Sequence, residues 1–354
     1  MIELQGLTKR YGDTRVVDDI SLTVEQGEFC VLIGPSGCGK STTLKMINRL
    51  IAHSEGRILV GGEDVTTLPP ELLRRRIGYA IQSTGLFPHW RVAENIATVP
   101  RLLKWTTSRI NARVDELLAL FQLDADDLRD KYPHQLSGGQ AQRVGVARAL
   151  AADPDVLLMD EPFGAVDPLT RDALQVELAR VHRQTGKTIV FVTHDMDEAL
   201  RLASRVALLN GGRLVQYDRP AELLVDPAND FVRDFIGRAD LGLKLLSRRR
   251  VEQYCQPAQG TREATITQAA TTHARPTWQV DADNRPLALI GGRLEEPATV
   301  RTDVNGEWTA TPDMSMKEAL SRMVWFRVTA LPVLDDQGRL LGEVTMAGVM
   351  GHRP

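Results

Sequence analysis

The 354-residue chain is poor in cysteine and aromatic residues and has no long apolar run. Cys30, Cys38 and Cys255 are an odd, sparse set without metal-ligand spacing. That excludes a disulfide framework or a zinc site and suits a reducing compartment. No stretch approaches the roughly 18 apolar residues that cross a bilayer. The strongest runs, Ile189 to Val192 and Val206 to Leu209, have the length of buried strands. The start, Met1-Ile2-Glu3-Leu4, lacks the basic and apolar regions of a signal peptide. A cytoplasmic protein is expected, with any membrane association made through a partner. A net charge of −3 provides no basic field for nucleic acid. With 43% hydrophobic and 25% charged residues a substantial core can form, and the length favours two domains.

From Ile2 to about Gly237, strand and helix patterns alternate. Glu28 to Ile33 reads as an apolar strand, and Ser41 to Leu50 as a helix. Asp155 to Met159 and Lys187 to Thr193 read as further strands, with Leu174, Leu178 and Val181 at helical spacing between them. Strand, crossover helix, strand implies a parallel sheet covered on both faces. From about 88 to 150 the pattern is a helical insertion, with a stripe at Val114, Leu117, Leu118 and Phe121. After Gly237 the composition shifts. Arg248-Arg249-Arg250 precedes a Gln-, Thr- and Ala-rich stretch, and 238–276 is expected to be a linker. The basic triplet could meet anionic lipid and report ionic strength, or be an ordinary solvated charge run. From 277 to 354 a smaller α+β pattern follows. Ser315 and Glu318 suggest a capping box, Met316, Leu320 and Met323 an apolar helix face, and Leu331 to Leu334, Asp335 to Gly338 and Leu340 to Val344 strand, turn, strand.

Gly34-Pro35-Ser36-Gly37-Cys38-Gly39-Lys40-Ser41 fits G-x-x-x-x-G-K-[ST] between a strand and a helix. Such a loop wraps phosphates with backbone N–H groups, aided by the helix dipole. Lys40 supplies charge to the β and γ phosphates, and Ser41 a hydroxyl for Mg²⁺. Asp160 and Glu161 end an apolar strand, where successive side chains can point differently. Asp160 can serve the metal while Glu161, as general base, faces an attacking water. Cys38 lies near Lys40 and the helix dipole, which could lower its pKa, or it is simply a small filler residue of the loop.

Together with Leu136-Ser137-Gly138-Gly139-Gln140, these residues resemble the ATP-binding subunit of an ABC transporter. The resemblance covers about residues 1–237. It implies an α/β P-loop NTPase fold of ABC type, with a mixed, largely parallel sheet, an antiparallel β subdomain and a helical insertion. It implies ATP and Mg²⁺ as cofactors. Gly34, Pro35, Ser36, Gly37, Cys38, Gly39, Lys40, Ser41 and Thr42 would hold phosphates, and Tyr11 would stack on adenine. Ser137, Gly138, Gly139 and Gln140, with Asp167, would complete the nucleotide site of a second copy in a head-to-tail homodimer. Gln82 resembles the glutamine that senses Mg²⁺ and water, and His194 the switch histidine at the γ-phosphate. Catalysis would rest on Glu161, His194, Gln82 and Lys40, and the metal on Ser41, Gln82 and Asp160.

Ala80 to Trp90, Asn95 to Pro100, Thr42 to Leu50 and Ala239 to Gly242 are similar to osmoprotectant importer ATPases. That implies uptake of a glycine betaine- or choline-type solute through a separate permease, with a separate extracytoplasmic solute-binding protein and no nucleic acid. The location would be peripheral, on the inner face of the membrane. Phe87 to Trp90 would either pack in the insertion or receive a permease helix. An importer for an amino acid or polyamine, or a soluble ABC ATPase, are the alternatives. Met316 to Met350 resembles one CBS repeat, making 277–354 a degenerate CBS-like domain. In its ligand pattern Gly342 and Thr345 fit, but Gly348 stands where an acid belongs.

Overall fold

Every residue of β3 (Phe29–Ile33) is buried, because this strand lies inside a sheet with both faces covered. The computed structural model describes all residues except 82–84, 165, 238–240, 262–276, 291–299, 302–303, 305–307 and 352–354. It divides into two units, Met1–Gly237 and Arg238–Pro354.

In the first unit, β1 (Ile2–Tyr11) and β2 (Thr14–Val24) form an antiparallel sheet with β4 (Glu55–Val60) and β5 (Glu63–Asp64), in the order β2-β1-β4-β5. A second sheet runs β10-β9-β3-β8-β7-β6. Its members are β6 (Ile77–Ala80), β7 (Val156–Asp160), β8 (Thr188–Val192), β9 (Arg205–Asn210) and β10 (Arg213–Asp218), besides β3. All neighbours are parallel except β9 and β10, which turn through Gly211 and Gly212, both at positive φ, as a two-residue hairpin requires. Apolar runs of four to six residues therefore became buried parallel strands, while the alternating runs near the N-terminus became the antiparallel sheet. Val114, Leu117 and Leu118 are buried along the inner face of the helix Thr107–Leu120, and Phe121 is buried at its C-cap. Leu174, Leu178 and Val181 do the same for Pro168–Thr185.

The order β3-β8-β7 sets the site. In a parallel sheet all carboxyl ends share one edge, where ligands bind. Gly34 leaves β3 there, Thr193 and His194 leave β8, and Asp160 ends β7. Residues far apart in sequence are thus separated by one or two strand spacings, each about 4.8 Å.

In the second unit, β11 (Gln259–Thr261), β12 (Thr277–Val280), β13 (Pro286–Ile290) and β14 (Val300–Arg301) form one sheet. A hairpin of β15 (Ala330–Leu334) and β16 (Leu340–Thr345) follows the helix Met316–Trp325. Met316, Met323, Trp278, Trp308 and Leu331 share its core. Here the linker expectation is corrected. Within 238–276, a helix Leu241–Arg248 and a turn Val251–Gln253 belong to this unit, and Val251 is fully buried in its core. Val251 N donates to Met314 O and Gln256 exchanges backbone hydrogen bonds with Glu343, partners too distant in sequence for local composition to reveal. The remainder of the expected linker, 262–276, lies outside the described residues. Two residues of the basic triplet are tied in: Arg250 donates to Asp313 O, and Arg249 O accepts from Met316 N. Among the described residues no helix is long and apolar enough to cross a membrane.

Candidate functional site

The loop after β3 is built around two glycines that no other residue could replace without strain. Gly34 has φ +151°, and a Cβ there would stand 2.1 Å from Leu209 O. Gly39, at φ +99°, precedes the helix Lys40–Ile47, and a Cβ would stand 2.7 Å from Val16 O. The loop therefore wraps tightly and leads directly into a helix N-terminus. Lys40 is 6% exposed; its Nζ donates to Gly34 O at 2.7 Å and Pro35 O at 3.0 Å. The ammonium so lies within the curve of the loop. Ser36, Gly37, Gly39, Lys40, Ser41 and Thr42 line a cleft of about 280 Å³ together with Glu161 and Val16.

The two acids diverge as their sequence position suggests. Asp160 Oδ1 accepts from Ser41 Oγ at 2.7 Å. Glu161 sits at φ +45°, with its N–H donating to Val192 O at 3.0 Å. That left-handed turn sends its carboxylate the other way, and Oε2 lies 3.3 Å from His194 Nδ1. Two hard oxygen ligands side by side suit Mg²⁺. The neighbouring carboxylate, aligned with an exposed imidazole, can take a proton from water over the same cleft.

Of the two readings of Cys38, the structure contradicts the lowered pKa and agrees with a buried filler residue. Burial pushes its thiol pKa up, outweighing the neighbouring Lys40 ammonium. Desolvation, which the sequence does not reveal, wins over charge proximity. Burial likewise pushes Cys30 up to about 12. In the native protein at pH 7.5, Cys38 should therefore alkylate at least several-fold more slowly than in the unfolded chain, read by peptide mass spectrometry. Equal labelling rates in the two states would contradict that.

Tyr11 is about half exposed at the end of β1, with Lys9 Nζ 4.8 Å from its ring centroid; it does not line the cleft. Ser137 and Gln140 form a reciprocal cap: Gln140 N donates to Ser137 Oγ at 3.2 Å, and Ser137 N to Gln140 Oε1 at 2.9 Å. They open the helix Gly138–Leu150. A Cβ on Gly138 would meet nothing within 4 Å, whereas one on Gly139 would stand 2.6 Å from Thr170 Cγ2. Gly139 thus serves packing, and Gly138 leaves an open approach. Thr170 N donates to Asp167 Oδ1 at 3.0 Å, bonds that hold the Asp167 carboxyl below its usual range. Gly139 thus faces Thr170, the residue that Asp167 caps, and neither the 137–140 segment nor Asp167 lines the phosphate-loop cleft. Gln82 lies outside the described residues. Phe87 and Trp90 are partly exposed with ring centroids 4.7 Å apart. In the second unit, Thr345 Oγ1 accepts from Gly348 N at 3.0 Å.

Two contributors were not foreseen. Val16 reads as an ordinary strand residue, yet its carbonyl bounds the loop. Glu198 follows Asp195 in a D-x-x-E pattern that reads as helix capping, but its carboxylate is buried beside Thr193.

A phosphate-wrapping loop after one parallel strand and paired acids at the end of another, one strand removed, are the layout of a P-loop nucleoside triphosphatase. Known proteins narrow the class. Residues 17–164 match the ABC transporter family and residues 301–353 the CBS domain family. The glycine betaine uptake system ATP-binding protein YehX of Escherichia coli (strain K12) is 61% identical over 72% of this chain and 82% of its own. The glycine betaine/carnitine/choline transport ATP-binding protein OpuCA of Bacillus subtilis (strain 168) is 42% identical over 99% of this chain and 95% of its own. The dimeric ATP-binding cassette MJ0796, in a post-hydrolysis state with ADP and Pi, is 31% identical with a TM-score of 0.56, covering 62% of this chain and 99% of that one. The chain belongs to the ABC transporter family of ATP-binding subunits, and carries a CBS domain after its ATPase unit.

Proposed function

We propose that this chain is the ATPase of an importer for a small quaternary-amine osmoprotectant such as glycine betaine, choline or carnitine. The observation that carries the solute class is the 61% identity to the glycine betaine protein, supported by similarity that runs through both units of the carnitine/choline protein. The subunit would act as a homodimer on the inner face of the membrane. It would dock on a separate permease fed by an extracytoplasmic binding protein.

At the site, Lys40 and the loop amides hold the β and γ phosphates, and Tyr11 stacks on adenine. Ser41 and Asp160, with Gln82, would hold Mg²⁺, whose charge would offset that of the terminal phosphates. Glu161 accepts the proton of the attacking water, while His194, 3.3 Å away, orients that carboxylate and reaches the γ-phosphate. Ser137 to Gln140 and Asp167 act on the nucleotide of the partner copy. Support comes from the open face at Gly138 and from none of these residues lining the cleft of their own chain.

The test is transport. The protein, purified with the membrane subunit that co-purifies with it, is reconstituted with Mg²⁺-ATP enclosed on its own side. ATP-dependent uptake of labelled glycine betaine or choline is expected. Uptake of putrescine or an amino acid instead would overturn the solute class and leave the ATPase reading intact.

A further inference from the structure

Glu198 is 5% exposed on the helix Met196–Leu202, and the chemistry above makes no use of it. Its Oε2 accepts from Thr193 Oγ1 at 2.6 Å, and its Oε1 accepts from Gln175 Nε2 at 3.1 Å. Thr193 Oγ1 in turn accepts from Asp195 N at 3.0 Å. The residues on both sides of His194 are therefore fastened to one hydroxyl, and that hydroxyl is fastened to Glu198.

The direction of these bonds matters. Both partners of Glu198 donate, and an ionised carboxylate is the acceptor-only side chain that satisfies two donors at once. It commits the Thr193 proton inward and leaves the oxygen lone pair for Asp195 N. Burial pushes the Glu198 carboxyl above its usual pKa, with the Asp195 charge acting in the same direction; Thr193, Gln175 and Arg171 pull it back down. A buried carboxylate is a poor choice for stability alone, since an apolar side chain of similar volume could fill the space at lower desolvation cost.

Gln175 extends the connection. It lies on the helix Pro168–Thr185, whose first turn is capped by Asp167. Arg171, on the same helix, donates to Val166 O at 3.2 Å and lines the small cavity shared by Glu161, Thr193, His194 and Glu198. One buried chain of polar groups thus runs from the helix of Asp167 to the backbone that carries His194.

We propose that Glu198 is a positioning residue for ATP hydrolysis. By accepting from Thr193 and Gln175 together, it locks residues 193–195 so that His194 faces Glu161, and it ties that aim to the helix capped by Asp167. This rests on Glu161 and His194 being the groups that act on water and the γ-phosphate.

Steady-state hydrolysis by the full-length protein tests it. Glu198→Ala should lower kcat by at least about tenfold with KM for ATP within about twofold, the pattern of a group that shapes the transition state without binding the ground state. Thr193→Val, which keeps the volume but removes the hydroxyl, should lose a similar factor. The double variant should be no worse than the poorer single one, because the two act as a unit. Glu198→Gln should recover kcat to within about threefold, since Gln175 can turn its amide to accept from the new N–H while Thr193 keeps its acceptor. Should Glu198→Ala not fold, the Thr193→Val and Glu198→Gln comparison still decides.

Wild-type kcat in Glu198→Ala or Thr193→Val, or losses that multiply in the double variant, would overturn the proposal. A lowered melting temperature with unchanged kcat per nucleotide-binding site would reduce Glu198 to a structural part. Glu161→Gln run alongside separates the two levels. If it too turns over normally, the underlying assignment of the base has failed; if it alone is inactive, only the role of Glu198 has.

Discussion

Glu161→Gln is expected to bind ATP with near wild-type affinity and hydrolyse it about 10²–10⁴-fold more slowly, the range for losing a positioned general base. The substitution keeps the shape of a side chain whose backbone is held by Val192 O at φ +45°. It leaves Lys40, Ser41 and Asp160, the residues proposed to bind phosphates and metal, untouched. Nucleotide should therefore accumulate unhydrolysed, and the closed homodimer should persist on size exclusion with light scattering. Hydrolysis near the wild-type rate would show that Glu161 is not the base.

Ser137→Arg should prevent that ATP-dependent dimer. Ser137 is an N-cap whose neighbour Gly138 faces open space, so bulk and charge added there project outward, not into the fold. Losing the cap costs about 1 kcal/mol, too little to unfold a helix with Val144, Val146, Ala147 and Leu150 buried. In the Glu161→Gln background, the Ser137→Arg variant is expected to remain monomeric with saturating ATP. In the otherwise wild-type protein, hydrolysis should fall on the order of 10²-fold, the scale for removing donors preorganised around a transition state. An unaltered dimer would refute the cross-subunit role of the 136–140 segment.

The two predictions draw on the part of the molecule that the sequence exposes best. The phosphate loop is contiguous, and its glycines are demanded by the backbone geometry at Gly34 and Gly39, so the motif and the structure are nearly the same statement. The parallel strands were legible as short, uniformly apolar runs. What stayed hidden depends on distant contacts. Nothing near Val251 indicates that Met314 and the core of the second unit will cover it, so its neighbourhood was read as linker along with the Gln-, Thr- and Ala-rich stretch that follows. The sequence places Cys38 near Lys40 but does not say how little water reaches it, and burial rather than charge proximity decides the direction of its pKa shift. Glu198 was masked by Asp195, whose side chain accepts from the Asp197 and Glu198 amides. The backbone at 195–198 follows the capping rule while the Glu198 side chain leaves it to reach Thr193.

The position of β8 has a consequence for biogenesis. It lies between β3 and β7 in the sheet, yet it is the last of the three to be synthesised. Until residue 192 has left the ribosome, β3 and β7 have no shared neighbour to hold them at the spacing the catalytic edge needs. A nascent chain with its phosphate loop already exposed would lack that arrangement, so nucleotide can reward folding only after the central strand has slotted in.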